Sequence, residues 1–266
     1  MRRLSQSLLL LTLAIAVVLT LEACTAETAG VKLTLKAEVV GSLTSGKAVT
    51  SFENRRGWKI QLEKAYMLVG PVYLLEGEPQ AQLLPWFLPW RTAHAHVNAN
   101  GQRVLAELRE HFVLDLLKAT PTSLGEMRGI AGTAQTAELH LLPPGGTRLA
   151  KTSATISNVS GATVFVQGKA TLGKETRSFE LKLTLPKSDN MRIVGNIGTD
   201  ISLEKNTVGG GRLLLKVYVD RWFTNVDFAT LTKKDESGRS LLTADDSAIQ
   251  QGIRSRYSYH FAWSTK

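Results

Sequence analysis

TVFVQGKATLGKETRSFELKLTL, residues 163–185, is the stretch whose pattern decides the fold. Its two arms, 163–172 and 177–185, are joined by Gly173-Lys174-Glu175-Thr176. In the second arm Phe179, Leu181, Leu183 and Leu185 alternate with Ser178, Glu180, Lys182 and Thr184. A side-chain period of two marks a strand with one buried face, and two such runs around a Gly-bearing connection make a β-hairpin.

Outward from this hairpin the pattern recurs. Val31, Leu33, Leu35 and Ala37 share one face, opposite Lys32, Thr34, Lys36 and Glu38. Similar runs stand at 58–62, 137–142, 162–171 and 212–219, separated by pieces such as Pro143-Pro144-Gly145-Gly146 and Gly209-Gly210-Gly211. Many short strands with Gly/Pro punctuation predict an all-β, antiparallel β-sandwich-like domain. Residues 104–117 carry a helical stripe (Leu105, Leu108, Phe112, Leu116) as well as strand spacings, and are read as two short strands. Thr243 is expected to cap a short C-terminal helix with Asp245 and Asp246 in its first turn, running to about Gly252. A last strand then places Tyr257, Tyr259, Phe261 and Trp263 on one core-facing side. No internal repeat, low-complexity tract or second membrane span is present.

The N-terminus carries an address. Arg2 and Arg3 precede an apolar run of 14 residues, 8–21, and then Leu21-Glu22-Ala23-Cys24. A run of this length fits a signal h-region of roughly 7–15 residues and falls short of the ~20 needed to span a bilayer. The segment resembles the signal peptide of a bacterial lipoprotein, with Cys24 as the acylated (palmitate-bearing) new N-terminus, although Glu22 departs from the usual small residue. Ordinary secretion with cleavage near Ala26 or Ala29 is the alternative. Thr25, where an inner-membrane retention signal would have Asp, favours the outer membrane. The expected organisation is a signal peptide (1–23), a lipidated tether (24–30) and one β-rich domain (31–266).

Cys24 is the only cysteine, so no disulfide is possible and burial must supply the stability. The formal charge of +9 falls to +8 without Arg2, Arg3 and Glu22, and it is spread along the chain. In an exported protein this excludes nucleic acid as the expected partner. It leaves anionic lipid, polysaccharide or acidic protein, beside a merely solvated mixed surface.

Gly41-Ser42-Leu43-Thr44-Ser45-Gly46-Lys47 matches the first seven positions of a phosphate-binding loop, but Ala48 stands where the magnesium-binding hydroxyl belongs and no helix pattern follows. Ser202-Leu203-Glu204-Lys205 and Ser188-Asp189-Asn190 echo penicillin-recognising enzymes in reversed order, with no Lys-Thr-Gly. There is no Gly-x-Ser-x-Gly, no His-Glu-x-x-His and no free cysteine nucleophile. The chain is therefore expected not to be an enzyme.

The segment 85–96, PWFLPWRTAHAH, concentrates two of the five histidines and two of the five tryptophans. His94 and His96 on extended backbone would point to one side about 7 Å apart at Cα, close enough for two imidazoles to hold one Cu or Zn ion. A third ligand must come from elsewhere, with His111 or His140 as first candidates and His260, Glu107 or Asp115 behind them. Two other readings stay open: ordinary loop histidines over a sandwich end, or membrane or partner contact through Trp86, Phe87, Leu88 and Trp90 beside Arg91.

The order Gly57-Trp58, Tyr66 to Leu75, the histidine-bearing loop, Val113-Leu114-Asp115-Leu116-Leu117, Leu124-Gly125, Trp222-Phe223 and Asp227-Phe228 resembles a group of all-β bacterial lipoproteins similar in layout to the MbnP-like periplasmic copper-binding proteins. The resemblance covers about half of the mature chain, and the histidine loop of such proteins is often longer. It implies a non-catalytic outer-membrane or periplasmic binding module for copper or zinc. The alternative is a metal-free envelope lipoprotein recognising a protein or glycan partner, with the membrane reached through the N-terminal lipid.

Overall fold

The computed structural model describes residues 32–44, 46–77, 102–143, 149, 154–185, 192–203, 211–243 and 246–265. The signal segment and Cys24 lie outside the described residues. Fifteen strands are found among those described: β1 (Lys32–Gly41), β2 (Leu43–Thr44), β3 (Lys47–Ala48), β4 (Ser51–Glu53), β5 (Lys59–Glu76), β6 (Arg103–Leu108), β7 (Phe112–Asp115), β8 (Thr122–Ile130), β9 (Gly132–Leu141), β10 (Val164–Leu172), β11 (Glu175–Leu183), β12 (Ile193–Leu203), β13 (Gly211–Val217), β14 (Ser240–Leu242) and β15 (Tyr259–Thr265). Two short helices, α1 (Val219–Trp222) and α2 (Ser247–Arg254), complete an all-β, sandwich-like fold with a curled sheet.

The hairpin of residues 163–185 is β10–β11, paired from Val164↔Leu183 to Leu172↔Glu175. The strands reach two residues further than the four-residue connection expected, leaving Gly173-Lys174 as the turn. Gly173 has φ +60°, the value that a two-residue hairpin asks of its first central residue and that glycine adopts without cost. Residues 104–117 form β6 and β7, as their strand spacing predicts. Gly41 to Lys47 closes β1 and enters the small β2–β3 hairpin, which is a turn between strands.

β5 organises the sheet. One edge pairs first with β10, from Lys59 to Met67, and then with β9, from Val69 to Leu75. Leu68 marks the exchange, donating its N–H to Thr163 O (2.8 Å) and accepting from Leu142 N (3.0 Å). N–H and C=O of one strand residue point to the same side, so β9 and β10 share an edge. The other edge meets β4, β7 and β6. From the first half the order runs β5-β10-β11-β14, and from the second β12-β9-β5-β6-β8-β1-β13-β15. β1/β13 and β11/β14 are parallel, so the antiparallel sandwich includes two parallel joins. β12 packs alongside β15, and no ladder joins them among the described residues. The second half thus curls almost to closure.

Between the layers Trp58, Phe179, Phe223 and Phe228 are fully buried, with Phe179–Phe228 centroids 4.9 Å apart and Trp58–Phe228 5.5 Å apart. Tilted rings at such spacings are favourable beyond their area burial. The segment carrying Phe223 and Phe228 is tied down by Asn54. Its Nδ2 donates to Phe223 O (3.0 Å) and Val226 O (2.8 Å), while its Oδ1 accepts from Arg56 N (3.0 Å) and Trp58 N (3.1 Å). Trp58 Nε1 donates to Asp227 Oδ1 (3.2 Å).

Two expectations near the C-terminus are corrected. α2 is capped by Asp246, which accepts from Ala248 N (3.0 Å) and Ile249 N (3.3 Å); the Thr243 carbonyl accepts the Asp246 N–H (3.1 Å). A carboxylate one residue before the helix reaches the free N–H groups directly. Tyr259 and Phe261 do face the core, but Tyr257 sits in the turn Arg256–Ser258 and is 64% exposed. The strand starts two residues later than the aromatic alternation suggests.

Asn54→Ala strands two buried carbonyls and two N–H groups, and is expected to cost about 3 kcal/mol. Urea denaturation of the signal-less chain checks this: a midpoint within error of the parent would refute the tie.

Candidate functional site

The histidines named as third ligands flank one point of β5. Val69 pairs with Phe112 of β7 on one edge and with Leu141 of β9 on the other. Phe112 and Leu141 are buried, so the preceding residues, His111 and His140, turn to the opposite face and are half-buried. The strand approach is tight at the next residue. Gly70 has φ +120°, and a Cβ there would stand 2.2 Å from Glu110 O.

Around His140 a polar group assembles. Its Nε2 lies 2.6 Å from Glu138 Oε1, a carboxylate two residues away on the same face and only 6% exposed in its side chain. Tyr73, in register with Glu138 across the β5–β9 ladder, sets its ring against the imidazole at 5.5 Å and 69°. The hydrogen bond to the Glu138 carboxylate sets the orientation of the His140 ring and leaves Nδ1 clear of that carboxylate. Glu107, opposite Tyr73 on β6, pairs with Arg109 at 2.7 Å.

Burial lowers the pKa of His111; the Glu110 carboxylate lifts it by a lesser amount, and the neighbouring His140 lowers it by less still. The Tyr73 hydroxyl is pushed up by burial first and then by Glu107 and Glu138, so it stays protonated. The local chemistry is therefore two imidazoles, at least one of them held neutral near pH 7, with a buried carboxylate and a phenol. Neutral imidazole is the form that binds Cu and Zn. Among the described residues no group of three or more His, Cys, Asp or Glu side chains is placed to hold a metal ion.

The other sequence candidates fall elsewhere. Asp115 accepts from Leu117 N (3.1 Å) as a turn-former, and His260 stands on β15 opposite Lys216. His94, His96, Trp86, Phe87 and Trp90 lie outside the described residues. The connection that carries them leaves β5 at Gly77 and re-enters at Gln102, whose side chain donates to Gly77 O (2.9 Å). Glu138 and Tyr73 were not singled out from the sequence, although the period-two spacing of Glu138 and His140 already puts both on one face.

No protein-family model matches the chain. No curated protein matches it. Among solved structures the chain is similar to MbnP from Methylosinus trichosporium. The match has a TM-score of 0.42 and 10% identity, and covers 88% of this chain and 99% of that one. It is a distant similarity of layout, and the resemblance read from the sequence names the same group.

His111 is expected to titrate below the ordinary imidazole value of about 6.5, and to move up when His140 is replaced by Gln. An NMR titration of the imidazole carbons checks both directions. The sign for stability follows: the folded chain binds fewer protons at His111 than the unfolded chain does. Its contribution is therefore present above about pH 6.5 and is lost as pH falls through the lowered folded value.

Proposed function

We propose that this chain is a non-catalytic binding lipoprotein of the bacterial envelope that takes copper, or second zinc, at a site where His94 and His96 join His111 or His140. The observation that carries this reading is the convergence of His111 and His140 on one point of β5, with Glu138 bonded to His140. Two imidazoles, one on β9 and one just before β7, are half of a tetrahedral or trigonal nitrogen site, and the carboxylate behind His140 fixes its orientation. The described residues leave that half-site incomplete. The His-x-His pair between Gly77 and Gln102 is the remaining concentration of the same donor type.

The lipid on Cys24 would hold the domain at the outer membrane, facing a compartment where no disulfide is available to it. Nothing in the donor set calls for a bound reaction partner: there is no paired nucleophile and base in the His111–His140 group, which suits holding an ion and not turning over a substrate.

The test is metal content, by mass spectrometry, of the signal-less protein from periplasm beside His94→Ala/His96→Ala and His111→Ala/His140→Ala variants. Stoichiometric copper or zinc in the parent, lost in both variants, is expected. No metal in the parent after incubation with Cu(I), Cu(II) and Zn(II) would overturn the metal reading and leave an envelope interaction module. The address is checked separately: full-length Cys24→Ser should leave the membrane fraction for the soluble one, and unchanged partition would rule out the lipid anchor.

A further inference from the structure

Where the second half of the sheet fails to close, β12 and β15 border a cleft of about 650 Å³. Its lining includes Asn196, Tyr218, Arg221, Arg256, Tyr257 and His260, with Ile197 and Tyr259 in its floor, and among the described residues no carboxylate. Arg221 lays its guanidinium 4.2 Å from the centroid of the Tyr218 ring and donates to the Tyr257 carbonyl. Arg256 stands 5.0 Å from the centroid of Tyr257 and donates to its hydroxyl at 2.9 Å. Among the described residues neither arginine makes an ion pair, as is also true of Arg55, Arg56 and Arg128, whereas Arg103, Arg109, Arg177, Arg212 and Arg239 do.

β12 bends at the same place. Its register against β9 breaks between Val194 and Ile197, and Asn196 takes φ +54°, a left-handed conformation that asparagine tolerates better than most residues. A bulge of this kind frees backbone polar groups from the ladder and re-aims the side chain, here onto the cleft wall. At the rim Tyr257 is one of three large apolar side chains that are exposed among the described residues.

From these features we infer that the β12–β15 cleft binds an acidic saccharide, a sugar unit bearing a carboxylate or a phosphate. The guanidiniums are already oriented by the rings they lie against, so little side-chain freedom is lost when they engage an anion, and each offers the planar donor fork that matches carboxylate or phosphate oxygens. The exposed tyrosine ring at the rim supplies a flat apolar plate for the C–H face of a sugar, with Asn196 and His260 in place for its hydroxyls. Although β12 and β15 leave strand edges free here, a peptide would also need apolar pockets for its side chains, and the floor offers Ile197 and Tyr259. The overall positive charge of the chain adds attraction at longer range. None of these residues belongs to the His111–His140 group, so the inference stands apart from the metal reading.

The test is calorimetric titration of the signal-less chain at low salt with trigalacturonate, mannose 6-phosphate, maltotriose and inorganic phosphate. Trigalacturonate or mannose 6-phosphate is expected to bind at least about tenfold more tightly than both maltotriose and phosphate, the size of one charge-assisted hydrogen bond added to sugar contact. Which of the two binds identifies carboxylate or phosphate as the anion. Arg256→Gln should weaken that binding by about tenfold with an unchanged melting temperature. In the unaltered protein, amide shifts at Gly198 and His260 should move on addition of the acidic sugar. Equal binding of maltotriose, equal binding of bare phosphate, no binding of either acidic sugar, full binding by Arg256→Gln, or unmoved amides would each overturn the assignment.

Discussion

Everything in this fold hangs on β5 being one uninterrupted strand with both edges in use. Its first half belongs to a sheet with β10, β11 and β14, and its second half to the curled series running from β12 to β15. Because the same backbone serves both, the relative placement of the two halves is set by covalent continuity and hydrogen-bond register, with no separate interface to be packed. At its middle, where β10 gives way to β9 on one edge and β7 to β6 on the other, the chain passes close enough to Glu110 that only glycine fits at position 70.

That exchange point also creates the candidate site. Val69 touches β7 on one side and β9 on the other, so residues remote in sequence become neighbours across a single strand. His111 and His140 inherit their outward direction from the buried residues beside them, Phe112 and Leu141. Partial burial then does the electrostatic work, disfavouring the charged imidazole of His111 and leaving it available as a neutral donor. The second cleft has a comparable origin. A curled sheet that stops one ladder short of closing leaves two strand edges facing each other among the described residues.

Stability is managed by tying loops to the core. The segment following α1 has little regular structure, yet it delivers Phe223 and Phe228 to the ring cluster because Asn54 satisfies two of its carbonyls from a neighbouring turn. A loop with buried carbonyls can pack against apolar rings only when a side chain meets its polar groups. In a chain that cannot form a disulfide, such ties take the place of covalent ones.

Much of the strand content was legible because alternation is local: residues 163–185 and 212–219 declare their own faces, and the buried side of β11 carries Phe179, Leu181 and Leu183 as their spacing implies. Where signals competed at short range the reading slipped by a residue or two, as when Asp246 took the cap expected of Thr243 and the last strand began after Tyr257. His111 and His140 could be named as candidates, but not placed together. Arg221 and Arg256 gave no sequence signal at all, since a lone arginine in a turn is usually a solvated one.

The sequence by itself determined that this chain is built of strands, where the β10–β11 hairpin turns, and which sides several strands bury, since each of those properties is written in neighbouring residues. Only the tertiary structure decided which strands share β5, that His140 is held by Glu138 beside the same point of β5 as His111, and that two arginines without ion pairs among the described residues line one cleft. Those facts depend on pairings between distant segments, and a period of two tells a strand which face to bury without telling it which partner to take.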